Sequence, residues 1–248
     1  MNLTAQLTTL RTRADGMSRG ERARLSCDWA KQMEKAGEYE VAAEALAEFW
    51  PNRSEAPMVD DLELAIRARV MLRIGNLIGF LGASREVPGS QERAKDLITQ
   101  SMELFESAGD DVAVAESRGD LALCYWREGG FDEARIHLAE ALHRLGEGDS
   151  DLRAVLLIRA GIIEERTRRL QNALNYYHEA EPLVERSQDH VLKGAFHGEC
   201  ALVFRRLAAP ENRDDYLDKA LIEYAAASFH YEQAGNQRQQ ARIEKNLG

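Results

Sequence analysis

A short pattern returns several times along this chain, and it constrains the fold more than any other feature. In its clearest copy, Leu121-Ala122 and Tyr125 precede Gly129-Gly130-Phe131-Asp132-Glu133-Ala134, and Leu138 and Ala141-Leu142 follow. Gly37-Glu38-Tyr39-Glu40-Val41-Ala42 repeats the turn and the alanine after it. Leu170-Gln171-Asn172-Ala173 repeats them again, with Tyr177 and Ala180 downstream and Gly161 in the place of Ala122. Two further copies carry longer connections: Gly75 to Ala94 and Ala201 to Ala220 each span 19 positions, against 12 from Ala122 to Ala134. The extra residues fall around Ala83–Gly89 and Ala209–Asp215 and read as longer turns. Downstream these two copies match each other, Phe105-Glu106-Ser107-Ala108-Gly109 against Tyr231-Glu232-Gln233-Ala234-Gly235. A unit of this size cannot bury its apolar stripe alone, so its kind folds by stacking on neighbours.

The spacing inside each copy is helical. Ala42, Ala94, Ala134, Ala173 and Ala220 are placed where the second helix of a pair crosses the first. Overfilling such a crossing typically costs ~1–3 kcal/mol. Leu46, Ile98, Leu138, Tyr177 and Tyr224 lie one turn further along the same face. Between copies, Gly109-Asp110, Gly148-Asp149, Gln188-Asp189 and Gly235-Asn236 put a capping side chain where a new helix must begin. Ser18 and Glu21 have capping-box spacing. The expected organisation is a leading helix over residues 2–17, five helix pairs over about 19–51, 59–108, 110–147, 149–187 and 189–235, and a partial sixth unit over 236–248. Leu3, Leu7 and Leu10 carry the leading helix. The sixth unit breaks off inside its first helix, which reads as the N-terminal part of a larger protein. Ile243 and Leu247 then lack a following helix to cover them, so pairing of the C-terminal helix with a second copy is the alternative.

Composition supports an all-α fold: 5 prolines among 248 residues, and helix formers in the majority. No apolar run approaches the ~20 residues of a membrane span, and the first ten residues lack a secretory signal's apolar stretch. A cytoplasmic protein with no membrane partner is the expectation. Cys27, Cys124 and Cys200 are far apart and form no CxxC pair, which fits buried reduced thiols. The net charge of −10 repels nucleic acid on average. Phosphate-binding glycine loops, HExxH and GxSxG motifs are all missing from the sequence. His137 and His143 are six apart and do not share a helix face, while His197 and Cys200 are three apart and lack further ligands nearby. No catalysis, cofactor or metal is therefore expected.

The repeated residues resemble the tetratricopeptide repeat (TPR) superfamily over roughly residues 20–248. The units of about 40 residues, against a common period near 34, are similar to bacterial regulatory TPR domains: those of peptide-sensing response-regulator phosphatases and large transcriptional activators. They also resemble kinesin light-chain repeats. The resemblance implies a right-handed α-α superhelix that binds proteins or peptides in a concave groove lined by first helices. It also implies which positions face that groove. They include Lys31, Lys35, Arg69, Asn76, Phe80, Trp126, Arg127, Ile162, Arg166, Arg205, Arg206 and Arg242. Across all the implied groove positions, ten are basic and three acidic, which predicts a positive stripe with apolar residues between the charges. Such a groove suits an acidic, partly apolar segment of a partner protein. In this reading the chain is a scaffold or sensor that regulates an effector domain beyond its end. Chaperone-type carboxylate clamping is not expected, because Asp120 stands where a second asparagine is required beside Asn76. Two other readings use the same sequence. One is nucleic-acid binding with Trp126 and Phe80 stacking on bases. The other is an enzyme-regulating subunit.

Overall fold

The structure, a computed structural model, describes residues 16–148, 150–208 and 214–247. Residues 2–15 of the expected leading helix, Asp149, and 209–213 of the second insertion lie outside the described residues, as does the side chain of Leu247. Among the described residues there are eleven α-helices and no strand. No helix among them is long and apolar enough to cross a membrane. The chain divides into two compact units, one ending at Gly130 and the other beginning at Phe131. The first holds α1 (Arg19–Ala36), α2 (Tyr39–Ala45), α3 (Leu64–Ser84), α4 (Ser90–Ala108) and α5 (Asp111–Glu128). The second holds α6 (Phe131–Leu145), α7 (Asp151–Arg166), α8 (Leu170–Arg186), α9 (His190–Ala208), α10 (Asp214–Gln233) and α11 (Gln237–Leu247).

The helix ends follow from local chemistry. Ser18 closes a capping box with Glu21 at the start of α1. Asp110 Oδ1 accepts from the Ala113 amide at 3.0 Å, Asp189 Oδ1 from Val191 at 2.9 Å, and Asn236 Oδ1 from Gln239 at 3.1 Å. Before α7 the cap is Ser150, whose hydroxyl accepts from the Arg153 amide. Gly129 turns α5 off at φ 83°, a conformation that strains any residue bearing a Cβ.

The repeat alanines point inward. Ala42, Ala94, Ala134 and Ala173 are fully buried and Ala220 is 3% exposed. Leu46, Ile98, Leu138, Tyr177 and Tyr224 beside them are buried as well. The small partners on the first helices are equally tight. A Cβ on Gly75 would stand 2.7 Å from Ile98, and one on Gly161 only 2.1 Å from the Tyr177 ring. The crossing in the fourth pair thus combines the smallest residue with a large one.

Three features differ from the sequence reading. The extra residues between Gly75 and Ala94 do not form a long turn. They extend α3 to Ser84 and start α4 at Ser90, leaving only Arg85–Gly89 between them. Gly82 permits this continuation, because a Cβ there would lie 2.1 Å from that of Ser90. The second helix of the first pair is short. After Ala45 the chain continues in tight turns that bury Phe49 and Trp50, and the Trp50 indole N–H donates to the Glu55 carbonyl. Ile243 is covered rather than exposed. It is 2% exposed and packs with Ala201, Tyr224, Ala227 and Tyr231, so it offers no apolar surface to a second copy.

Candidate functional site

Each compact unit gathers polar side chains on the faces of its first helices, and the two gatherings differ in charge. In the first unit the centre is Arg73 of α3, 6% exposed. Its guanidinium reaches Glu34 of α1 at 2.9 Å, and Glu116 and Asp120 of α5 at 2.7 and 3.3 Å. Asn76, one turn along α3, donates to Asp120 Oδ2 at 2.6 Å. Lys31 of α1 meets Glu116 at 2.8 Å. Burial alone would lower the Arg73 pKa, but the three carboxylates outweigh it and raise it. Burial also pushes Glu34 up to about 7, against the pull of Arg73. Its Oε1 is buried without a hydrogen-bond partner among the described residues. A cavity of about 220 Å³ opens beside this network, lined by Cys27, Lys31, Arg69, Leu72 and Glu116 among others. Arg69 is exposed on its rim.

Phe80, Trp126 and Arg127 sit at the other end of the same helix faces. The Arg127 guanidinium lies 4.1 Å from the Phe80 ring centroid, and the Tyr39 ring stacks on Phe80 at 4.3 Å and 16°. The two neighbours cannot share one face of the ring, so both faces are covered and none is open to a base. Trp126 is partly buried and Lys35 is exposed.

In the second unit the balance reverses. Glu165 of α7 is 1% exposed. Arg206 of α9 approaches its Oε1 at 2.5 Å, and Arg166 its Oε2 at 3.5 Å. Arg205 holds its guanidinium 6.0 Å from the Tyr224 ring centroid. Glu199 of α9 is partly buried, and its carboxyl is pushed up to about 7 by burial, against the pull of Arg242 and, more weakly, Arg166 and Arg206. Arg242 of α11 also faces the hydroxyl of Tyr231. Arg166, Arg206 and Arg242 therefore stand near two carboxylates, Glu165 and Glu199. Arg205 and Arg242 are exposed, and Ile162 packs partly buried against the adjoining core. The hydroxyls of Tyr177 and Tyr224 are buried with no hydrogen-bond partner among the described residues.

A third gathering lies between α9 and α10. His190 and His230 share a hydrogen bond between their Nδ1 atoms at 2.9 Å, and the His197 ring stacks on that of His230. His197 Nδ1 is 2.7 Å from Glu223. Burial and the neighbouring histidines lower His230 to about 4. Among the described residues, no group of three or more His, Cys, Asp or Glu side chains is arranged to hold a metal ion.

The sequence matches no protein-family model and no curated protein. Solved structures do resemble the fold. One is a signal-transduction ATPase with numerous domains and a tetratricopeptide repeat sensor, from Pyrococcus horikoshii. It is 15% identical with a TM-score of 0.62, over 89% of this chain and 31% of that one. The chain thus spans about a third of that protein's length. The fold is that of the tetratricopeptide-repeat proteins. PlcR of Bacillus thuringiensis, solved in complex with the peptide PapR7 and DNA, is 12% identical with a TM-score of 0.71, over 92% of this chain and 76% of that one. The apo form of RapI is 15% identical with a TM-score of 0.59, covering 99% and 90%.

Against this TPR frame, four of the positions expected to line a groove are paired, Lys31 and Arg166 while remaining exposed. Lys31, Asn76, Arg166 and Arg206 meet carboxylates or a carboxylate partner on a neighbouring helix or their own. Arg69, Arg205 and Arg242 are exposed. The sequence reading missed Arg73 and Glu199. Both lie two positions before the small residue at the centre of their helix, Gly75 and Ala201, outside the positions that the resemblance placed on the groove, and Arg73 is buried and Glu199 partly buried against neighbouring helices. A charged residue there was a detectable signal, because a position packed between helices does not normally carry one unpaired.

Proposed function

We propose that the chain is a regulatory scaffold that binds a protein or peptide, and that it anchors an acidic, partly apolar segment on the second unit. The supporting observation is the excess of arginine there. Arg166, Arg206 and Arg242, on three first helices, stand near Glu165 and Glu199, and Arg205 lies exposed over the Tyr224 ring. Arg forks take carboxylates with good geometry. The first unit makes a poorer anion site, because its buried arginine is already encircled by three carboxylates. The fold neighbour PlcR, solved with a bound peptide, supports a peptide as the kind of ligand. The covered Phe80 ring and the net charge of −10 both weigh against nucleic acid.

The test is fluorescence anisotropy with a labelled acidic peptide carrying leucine between glutamates. Arg205→Glu is expected to weaken binding at least ten-fold, and added salt to weaken it further. Arg69→Glu in the first unit is expected to change it little. Unchanged affinity in Arg205→Glu and in Arg242→Glu refutes the assignment.

A further inference from the structure

Away from the arginines, the second unit has an opening of the opposite character. Phe196, Cys200 and Phe204 of α9 stand four positions apart and share one face of the helix. That face is turned by about 200° from Gly198, Leu202 and Arg206, which the resemblance assigns to the groove. With Leu174 and Tyr177 of α8, these side chains line a cavity of about 240 Å³. Glu181 of α8 and Glu223 of α10 line it as well. Both carboxylates act on its floor: the Cys200 thiol is raised first by burial, then by Glu223 and Glu181. His197 meets Glu223 at 2.7 Å and orients that carboxylate. His178 approaches Glu181 at 3.5 Å, but its side chain is 87% exposed, and a surface pair of that kind is worth little. Lys219 holds its ammonium over the outer rings, 5.8 Å from the Phe204 centroid and 5.3 Å from that of Tyr216. The surface continues along α10, where Leu221, Ile222 and Phe229 each expose half or more of their area. Ile222 and Phe229 are two turns apart on one face, next to the face of Glu223 and His230. The His197 ring joins the two, touching Glu223 and stacking on His230 at 5.5 Å. Cavity and apolar row are therefore one continuous surface, with exposed Asp214, Asp215 and Asp218 at the start of the same helix.

We propose that this surface docks a basic amphipathic helix of a partner protein, with one arginine of that helix seated in the cavity between Glu181 and Glu223. Charge complementarity names the occupant. The lining carries two carboxylates, so an acidic guest is repelled and a purely apolar one strands both charges. Aromatic walls beside carboxylates favour a guanidinium over an ammonium, because it is more weakly hydrated, stacks on rings and takes a carboxylate with two donors. A small free amine would fill the cavity and leave Leu221, Ile222 and Phe229 uncovered, whereas an amphipathic helix carries apolar residues and an arginine along one stripe. The proposal is independent of the acidic-segment reading, since it uses other residues and the opposite charge.

The experiment measures fluorescence anisotropy of a labelled, capped peptide of leucine, alanine and arginine at helical spacing, added to the full chain. Matched peptides carry lysine or glutamine in place of arginine. The arginine peptide is expected to bind, the lysine peptide more weakly, and the glutamine peptide at least about ten-fold more weakly. Glu181→Gln combined with Glu223→Gln should weaken the arginine peptide about ten-fold, and Ile222→Ser combined with Phe229→Ser by a similar factor. A net charge of −10 attracts any basic peptide, so the charge-matched control is Glu103→Gln combined with Glu133→Gln, two exposed residues elsewhere. That control and Arg205→Gln should bind the arginine peptide as the parent does. Circular dichroism checks that every variant keeps its helices. No binding of the arginine peptide, equal binding of the glutamine peptide, full affinity in either site pair, or an equal loss in the control pair overturns the proposal. Free arginine amide that displaces the peptide at the peptide's own concentration also overturns it, because the cavity alone would then suffice. A loss in Arg205→Gln would move the basic peptide to the arginine face and overturn it too.

Discussion

Replacing Gly161 with alanine tests the close crossing that defines the repeat. A Cβ at that position would lie 2.1 Å from Cε1 of Tyr177 and 2.7 Å from two further ring atoms. Ordinary contact begins near 3.4 Å, so the ring or the helix must move by more than 1 Å. The ring has little room to do so. Tyr177 is 2% exposed, and Phe196 packs edge-on against it at 6.3 Å between centroids. Overpacking of this kind costs about 1–3 kcal/mol. A contact as short as 2.1 Å belongs at the upper end of that range, and an alanine in a helix recovers about 1 kcal/mol of backbone preference over glycine, leaving a net loss of about 2 kcal/mol. The preceding repeat has Ala122 and Leu138 at the corresponding positions. Gly161→Ala combined with Tyr177→Leu therefore restores a pairing that the chain already uses, and should lose less than the sum of the two single changes. The assay is urea unfolding followed by circular dichroism at 222 nm, with the midpoint and slope fitted for all four proteins. A single Gly161→Ala as stable as the parent, or a double variant showing simple additivity, refutes the packing explanation.

Other expectations follow from the charge and thiol environments. Arg73→Met leaves Glu34, Glu116 and Asp120 buried without their common partner, and should cost about 3–5 kcal/mol at pH 8 by urea unfolding. That deficit should shrink as the pH falls below 7, because Glu34, already pushed up to about 7 by burial, takes up a proton once Arg73 is gone, and a deficit independent of pH would count against the network. His230 is held at about 4, below the 6.5 of an unconstrained histidine, so the folded state disfavours its charged form. Its contribution is complete above pH 6.5 and is lost as the pH drops toward 4, so thermal melts of His230→Gln should depend less on pH across that window. The thiols of Cys27 and Cys124 are pushed up to about 12 and 11 by burial, and that of Cys200 rises further. All three should resist a disulfide reagent in the native chain and react promptly in urea. Fast native labelling of any one would show that its helix pair opens.

Much of the architecture is legible in the residues alone, because the signals for it are local. Capping side chains such as Asp110, Asp189 and Asn236 act within three residues, and the inward alanines follow the turn of a single helix. The insertion after Gly75 was misread for the complementary reason. Whether extra residues make a loop or a longer helix depends on what the extension packs against, and Gly82 against Ser90 settles that here. The candidate site was legible only as a set of positions. The sequence placed Arg166, Arg205, Arg206 and Arg242 on one kind of helix face, and the structure brings Arg166, Arg206 and Arg242 near Glu165 and Glu199 and sets Arg205 over Tyr224.

By itself, then, the sequence determined that the chain is helical, where several helices start, and the small residues at their crossings, all of which are properties of neighbouring positions along one chain. Only the tertiary structure decided which charges meet. Arg73 and Glu116 are 43 residues apart, and Arg206 and Glu165 are 41 apart. Their encounter depends on the spacing and rotation of helices packed side by side. Ile243 shows the same dependence: its apolar character was plain, but its burial under α9 and α10 required the fold.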